Sequence, residues 1–473
     1  MPFSPTTTHD FKLLQTFAPF LQEDLPFPQV LQTHDLEQIL ADENLSFGTA
    51  PRAFWTPALT LWTFLWQTLD PDKSCRQAVA RAILAFALTQ KPEELDTAAY
   101  CRARAKIPAK VLQKLTIHVA QQLEDAAPDS WLWQGRRVHL VDGSTSRLPD
   151  TPENQQAFPQ PARQKPGVGF PILRWVLLVS LATAAVQGLA YGPYQGKETG
   201  ETALFRQLFG LLRAGDIVVA DRYYCSYFLV ALLRASGVDV VFRLHQRRKY
   251  DFRRGRRLGR NDHVVSWHKP ARPEWLDEES YAAIPETLQM REIRVQVQEP
   301  GCRVKELIVA TTLLQAEEYT ASAVGELYHK RWHVELDIRS LKVTLGMDQL
   351  RCRTPAMIEK EIWAHVLAYN LVRKVAAQAA EQGEVSPRAL SFKATKQALL
   401  AGWQRQTEQT GAAYVSSACE LLQLVRKEIV GDRPGRVEPR ARKGRPKPHK
   451  LLMEPRAKAK ARLLGKRSRQ QRR

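Results

Sequence analysis

The sequence predicts an α/β fold: a core of mixed strands and helices, interrupted by a β-rich insertion and flanked by helical regions at both ends. Three observations carry that prediction. "RVHLVDGSTSRL" and "FPILRWVLLVSLA" are apolar runs of strand length, and "DIVVADRYYCSYFLVALLRASGVDVVFRLH" reads as strand, helix, strand. From about residue 246 the chain turns Arg-, Gly- and Pro-rich, with the short strand candidates "HVVSW", "REIRVQVQ" and "CRVKELIVATTLL". The stretches before Arg137 and after about residue 321 read as helical.

Taken in order, residues 1–130 form a helical N-terminal domain. "FWTPALTLWTFLWQTL" sets Trp55, Leu59, Trp62 and Trp66 at helical spacing, a stripe expected to face the core. "TAAYCRARAKIPAKVLQKLTIHVAQQLE" opens with a basic patch (Arg102, Arg104, Lys106), breaks at Pro108 and continues as an amphipathic helix. Residues 131–245 are the first part of the core, where "GETALFRQLFGLLRAG" reads as a helix with Gly215 just past its end. Residues 246–320 are the insertion, 321–385 the last part of the core and 386–430 a helical C-terminal region. Residues 431–473 are a basic tail.

Charge bounds the function. With 69 Lys and Arg against 49 Asp and Glu, the 473-residue chain carries +20 and a pI near 9.8. Such a surplus points to a polyanionic partner, above all nucleic acid. From Asp432 to Arg473 there are 17 Lys or Arg and 3 acids, so this tail alone holds +14. Its five prolines predict an extended arm, not one regular element. "HQRRKYDFRRGRRLGR" (His245–Arg260) adds eight cations against one Asp, and Arg247, Arg248, Arg253 and Arg254 in it are candidate DNA contacts. The six cysteines show no CxxC spacing, which argues against structural zinc and a disulfide framework and fits a reducing compartment. No secretory signal is visible, and the most apolar run is short for a membrane span. A cytoplasmic, nucleoid-associated protein is expected.

Three acids stand out. Asp142 ends "VHLVD" and Asp221 ends "IVVAD", each directly after an apolar strand, where ligand sites of α/β sheets gather. The third lies in "YHKRWHVELDIRSLK" (Tyr328–Lys342). On an ideal helix Tyr328, Arg331, Glu335 and Lys342 share an arc of about 60°, beside a buried stripe of Val334, Ile338, Leu341 and Leu345. Glu335 can then point along a packed edge toward a cleft. Two-metal phosphoryl transfer needs carboxylates that hold two divalent ions about 3.5–4 Å apart, and magnesium takes one or two of them plus phosphate oxygens. Nearby cations and hydroxyls would bind the phosphates of DNA. An aspartyl-phosphate phosphatase would need D-x-D, which "DGSTS" lacks.

The spacing Y-x2-R-x3-E-x6-K, present as Tyr328, Arg331, Glu335 and Lys342, resembles the signature of DDE transposases of the bacterial insertion-sequence class, in the branch named for those four letters. "LVDGSTSRLPDTPENQQAFPQP" is similar to that family's first-acid region and "GDIVVADRYYCSY" to its second. "LYHKRWHVELDIRSLKVTLGMDQLRCRTPAMIEKEIWAHVLAYNLVR" is similar to its third-acid helix, and "RPGRVEPRARKGRPKPHKLL" to a C-terminal arm. The resemblance implies an RNase H-like catalytic core in which Asp142, Asp221 and Glu335 bind two Mg2+ ions, with Mn2+ as a substitute. It implies cut-and-paste movement of an insertion sequence, with DNA cleavage and 3′-OH strand transfer at terminal inverted repeats, by a homodimer that pairs two ends. Tyr328, Arg331, Lys342 and Arg222, beside the second acid, would grip DNA phosphates, and Trp332 would pack beneath them or touch a base. Some members stack a flipped base in a hairpin on an insertion-strand tryptophan; Leu307 stands at that position here, leaving Trp267 or Trp275 as substitutes. A nuclease that cuts without joining, and an inactive DNA-binding derivative, are the alternatives.

Overall fold

The computed structural model describes residues 33–43, 45, 47, 54–86, 96–296, 306–406, 412–431 and 451–470. Expectations placed on residues 1–32, on Cys302 and on residues 432–450 and 471–473 of the basic arm lie outside them.

The core sheet starts as a meander. β1 (Val138–Arg147), β2 (Ile172–Ser180) and β3 (Val186–Pro193) pair antiparallel. β4 (Ile217–Ala220) then lies parallel to β1 on its free side, and β5 (Asp239–Arg243) lies parallel to β4. Three antiparallel strands followed by two parallel ones, in the order β3-β2-β1-β4-β5, is an RNase H-like arrangement. The β-rich segment adds β6 (Arg256–Gly259), β7 (Asp262–His268), β8 (Thr287–Gln296) and β9 (Glu306–Thr311). These form an antiparallel ladder that joins the core through β5–β9 pairing, giving one nine-stranded sheet.

One face of the sheet is closed by the helix Pro355–Gln382, whose residues from Glu361 to Ala380 are all buried. A helix buried all round needs its polar groups satisfied inside. Asn370 does this by accepting from the Val186 amide and donating to the Val186 carbonyl, both at 2.9 Å. The helices Pro57–Leu69 and Ala109–Asp125 pack on the same long helix and share its core. Thr56 caps the first of these by accepting from the Leu59 amide, with Pro57 at the first helical position.

Four elements differ from the sequence-based expectation. The helix Pro57–Leu69 has no single buried stripe. Every residue from Ala58 to Leu69 is buried, with Trp62 and Trp66 in the main core and Trp55 and Leu59 in a small second core around Tyr100. β1 does not end at Asp142. It runs five residues further because β2 keeps supplying hydrogen-bond partners as far as Arg147, although β4 stops opposite Val141. The helix expected over 200–215 is only Glu201–Arg206, followed by a single 3-10 turn at Phe209–Leu211. In the tail, Arg456–Gln470 is one helix, so that part of the basic arm is regular.

Candidate active site

Asp142 and Asp221 meet by register. Val141 of β1 pairs with Ala220, the last residue of β4, so the next residue on each strand is an aspartate, side by side where the parallel ladder ends. Each carboxylate is held locally. Asp142 Oδ1 accepts from the Gly143 amide at 2.8 Å, and Asp221 Oδ1 accepts from the Tyr223 amide at 2.7 Å. Burial is the main cause that raises the Asp142 carboxyl, to about 6, and the charges of Asp221 and Glu201 add to it, against Arg331.

Glu201 is a fourth acid that sequence reasoning missed. It opens the helix after β3, and its carboxyl lies over Gly143 so closely that a Cβ there would stand 2.5 Å from Glu201 Cδ. Glycine at 143 is what lets that approach occur. Burial raises the Glu201 carboxyl and Asp221 adds to it, while Arg174 opposes. The signal was in "VDGS" and "GETA", but only the fold brings the two together.

The helical segment carrying the third acid is not one straight helix. It comprises Ala321–His329, a turn at Lys330–Arg331, then Trp332–Arg339, then a π-helical turn at Ser340–Thr344 in which the Leu345 amide donates to the Ser340 carbonyl at 2.9 Å. The ideal wheel therefore misplaces the four residues. Tyr328 is buried, its hydroxyl pushed up to about 12 by burial and set near Arg331 and Asp221. Arg331 bridges two acids: one end lies 2.7 Å from Glu335 Oε1 and the other 3.8 Å from Asp142 Oδ2. Lys342, displaced by the wide turn, donates to Ser144 Oγ at 3.1 Å; Ser144 shares the Asp142 face of β1. Asp142, Ser144, Glu335 and Lys342 line one open cleft of about 690 Å³.

The other expected DNA contacts are scattered. Trp332 is 57% exposed, so it has no core role. Arg222 is exposed beside Asp221. Arg247 is exposed, but Arg248 is half-buried with its guanidinium 3.7 Å from the Trp267 ring centroid. Arg253 and Arg254 are exposed and share Asp251. They lead into β6, six strand spacings from β1, on the order of 30 Å along the sheet. Trp267 is buried and donates to Glu292 at 3.0 Å, so it offers no free face to a base, and Arg206 covers one face of the half-buried Trp275 ring at 3.8 Å. Leu307 is half-buried against the core.

The donor set fits a hard divalent cation: four carboxylates, two of them raised by burial and mutual repulsion, with oxygen ligands only. Among the described residues no three acids, His or Cys are yet grouped closely enough to hold an ion. The Arg331 guanidinium stands between Asp142 and Glu335 instead.

An RNase H-like sheet with acids at its centre and cations around them defines an enzyme of DNA phosphoryl transfer. The family model described as "Transposase DDE domain" matches residues 133–371, half of the chain, and the chain belongs to that family. It is a transposase of the insertion-sequence type, an enzyme of DNA cleavage and strand transfer, in a family that uses divalent metal ions. It is similar to the transposase InsG for insertion sequence element IS4 of Escherichia coli (strain K12), with 25% identity over 71% of this chain and 73% of that one. A putative transposase InsL for element IS186A of the same strain is 35% identical over 65 residues, 14% of this chain and 18% of its own. A solved piggyBac transposase synaptic complex with hairpin DNA aligns over 89% of this chain and 86% of that one, at a TM-score of 0.41 and 10% identity. Among the described residues, no helix is long and apolar enough to cross a membrane.

Proposed function

We propose that this chain moves an insertion sequence by cut-and-paste, cleaving at terminal inverted repeats and joining the freed 3′-OH to target DNA, with Asp142, Asp221 and Glu335 as the metal-binding acids. The observation that carries the reading is the register-enforced meeting of Asp142 and Asp221, with Glu335 and Lys342 on the cleft that Asp142 lines and Arg331 linking Asp142 to Glu335. Two Mg2+ ions, or Mn2+ in their place, would activate the attacking hydroxyl and stabilise the leaving oxygen.

The chain's own groups supply the rest. Arg331 neutralises Asp142 and Glu335 before any cation arrives, so it is placed to turn to a DNA phosphate once those acids are engaged. Tyr328, buried behind it, fixes where the guanidinium can go. Lys342 and Arg222 flank the acids as phosphate contacts, and the open face of Trp332 takes a base or sugar. Residues 1–130 read the repeats, residues 246–320 with Arg247, Arg253 and Arg254 grip DNA at the far end of the sheet, and two copies pair two ends near the nucleoid. The reading ends at cleavage and joining and includes no hairpin, because Leu307 and Trp267 are both packed.

The test supplies a pre-cut element end bearing a 3′-OH, a target plasmid and Mg2+. Joined product is expected. Cleavage of intact ends with no joining would make the chain a nuclease and overturn the reading.

A further inference from the structure

The helix Trp332–Arg339 and its π turn have two sides. One lines the catalytic cleft. The other lines a second open groove of about 1220 Å³, closed by the segment 388–400 on one side and by residues 71–73 on the other. This groove is larger and more charged than a small-molecule site, which is mostly apolar at roughly 300–1,000 Å³. Seven Lys or Arg and two Asp line it. One of those acids, Asp337, is fully buried and already paired with Arg373 at 2.9 Å and Arg388 at 3.0 Å, so it offers nothing to a ligand.

Two lysines form a built wall. Lys73 donates to the Leu345 carbonyl and Lys396 donates to the Thr344 carbonyl at 3.1 Å. Both cap the π turn, and neither has an ion-pair partner among the described residues. Burial lowers both ammonium groups, Lys73 to about 8, against the charges of Glu361 and Asp348 at Lys73 and of Asp70 at Lys396. Arg339 and Lys393 are exposed along the same groove, also without an ion-pair partner among the described residues. Between them Leu336 and Val343 are 41% and 71% exposed, apolar ground suited to sugar edges.

The groove opens into the catalytic cleft, since Arg339, Val343 and Asp348 line both. Strand joining brings two duplexes to one set of acids, and they must arrive from different sides. We propose that the groove is the backbone-binding tract for the target duplex, gripping its phosphates through the exposed Lys393 and Arg339, with the Lys73–Lys396 pair bracing the π turn beneath them, while the element end occupies the cleft. The proposal rests on the transposase reading above. Cations grouped along a groove bind phosphates whatever the base sequence, as a target of arbitrary sequence requires.

The test variant is Lys393→Glu with Gln397→Glu in the full chain; both positions are exposed on the groove side of one helix, so folding is not at stake. The probe is a labelled duplex lacking element ends, titrated at several salt concentrations by fluorescence anisotropy. Affinity is expected to fall at least tenfold, and the slope of log K against log salt to lose about 1. Lys393→Arg should keep both. Joined product from pre-cut ends should fall in parallel. Unchanged duplex affinity overturns the proposal. So does a loss confined to duplexes carrying element ends, which puts end-flanking DNA in the groove, and so does a changed sedimentation coefficient with affinity intact, which makes it an interface between copies. Because affinity is read without cleavage, a chain that shows this loss but leaves ends uncut would overturn the catalytic proposal alone.

Discussion

Glu335 and Asp337 stand two residues apart on one short helix and differ in almost every physical respect. Asp337 is fully buried and saturated: it accepts from Tyr369 at 2.9 Å and pairs with both Arg373 and Arg388, while Arg388 also ties down the Ser180 and Leu181 carbonyls. Glu335 is half-exposed, has Arg331 as its ion-pair partner and faces a cleft with Asp142. A saturated acid fastens the helix to the core, and an unsaturated one is free to bind something else. The second kind of acid marks the site.

Glu335→Gln should cost at least roughly 10³-fold in the rate of end cleavage, about 4 kcal/mol of barrier, yet change stability by no more than about 1 kcal/mol, since a half-exposed pair holds little. Single-turnover cleavage and a urea melt read the two numbers. Asp337→Ala should show the converse, a loss of about 3–5 kcal/mol of stability from two uncompensated buried arginines, seen as a lower urea midpoint.

The buried side also fixes the pH response. His365 donates from Nδ1 to the Glu361 carbonyl at 2.7 Å and faces Lys73 through Nε2 at 3.1 Å, and burial lowers it to about 3. The unfolded imidazole titrates near 6.5, so the unfolded chain binds the extra proton first. Stability is whole above about 6.5 and falls as pH drops toward 3, by about 3 kcal/mol at pH 4. His333, lowered to about 4 by burial, acts in the same direction. His365→Gln should flatten the urea midpoint between pH 6.5 and 4; a slope as steep as that of the unaltered chain would remove His365 as the cause. Smallest of all, Lys342→Ala should slow cleavage about tenfold, about 1.4 kcal/mol, with stability unchanged, since its ammonium hydrogen-bonds one serine hydroxyl.

Much of this was legible in the sequence. Apolar runs ending in Asp142 and Asp221 located both acids, and the strand–helix–strand pattern gave the parallel half of the sheet. Register was not legible, so neither was the adjacency of the two aspartates. Nor was β1 beyond Asp142, because "GSTSR" is polar and its pairing comes from β2. Glu201 lay hidden because its partner is a glycine backbone 58 positions earlier. The π turn escaped an ideal wheel because Lys73 and Lys396, remote in sequence, hold its last carbonyls. The same remoteness brings Cys75 and Cys101 within 3.8 Å without any CxxC spacing.

If Asp142, Asp221 and Glu335 act as one cation-binding set, cleavage of an element end must depend on the ion and on all three acids together. Asp142→Asn, Asp221→Asn and Glu335→Gln are compared with the unaltered chain in Mg2+ and Mn2+. Cleavage that needs the ion, and falls at least roughly 10³-fold in each folded variant, is the predicted result. An unaltered rate in any one of the three would contradict it.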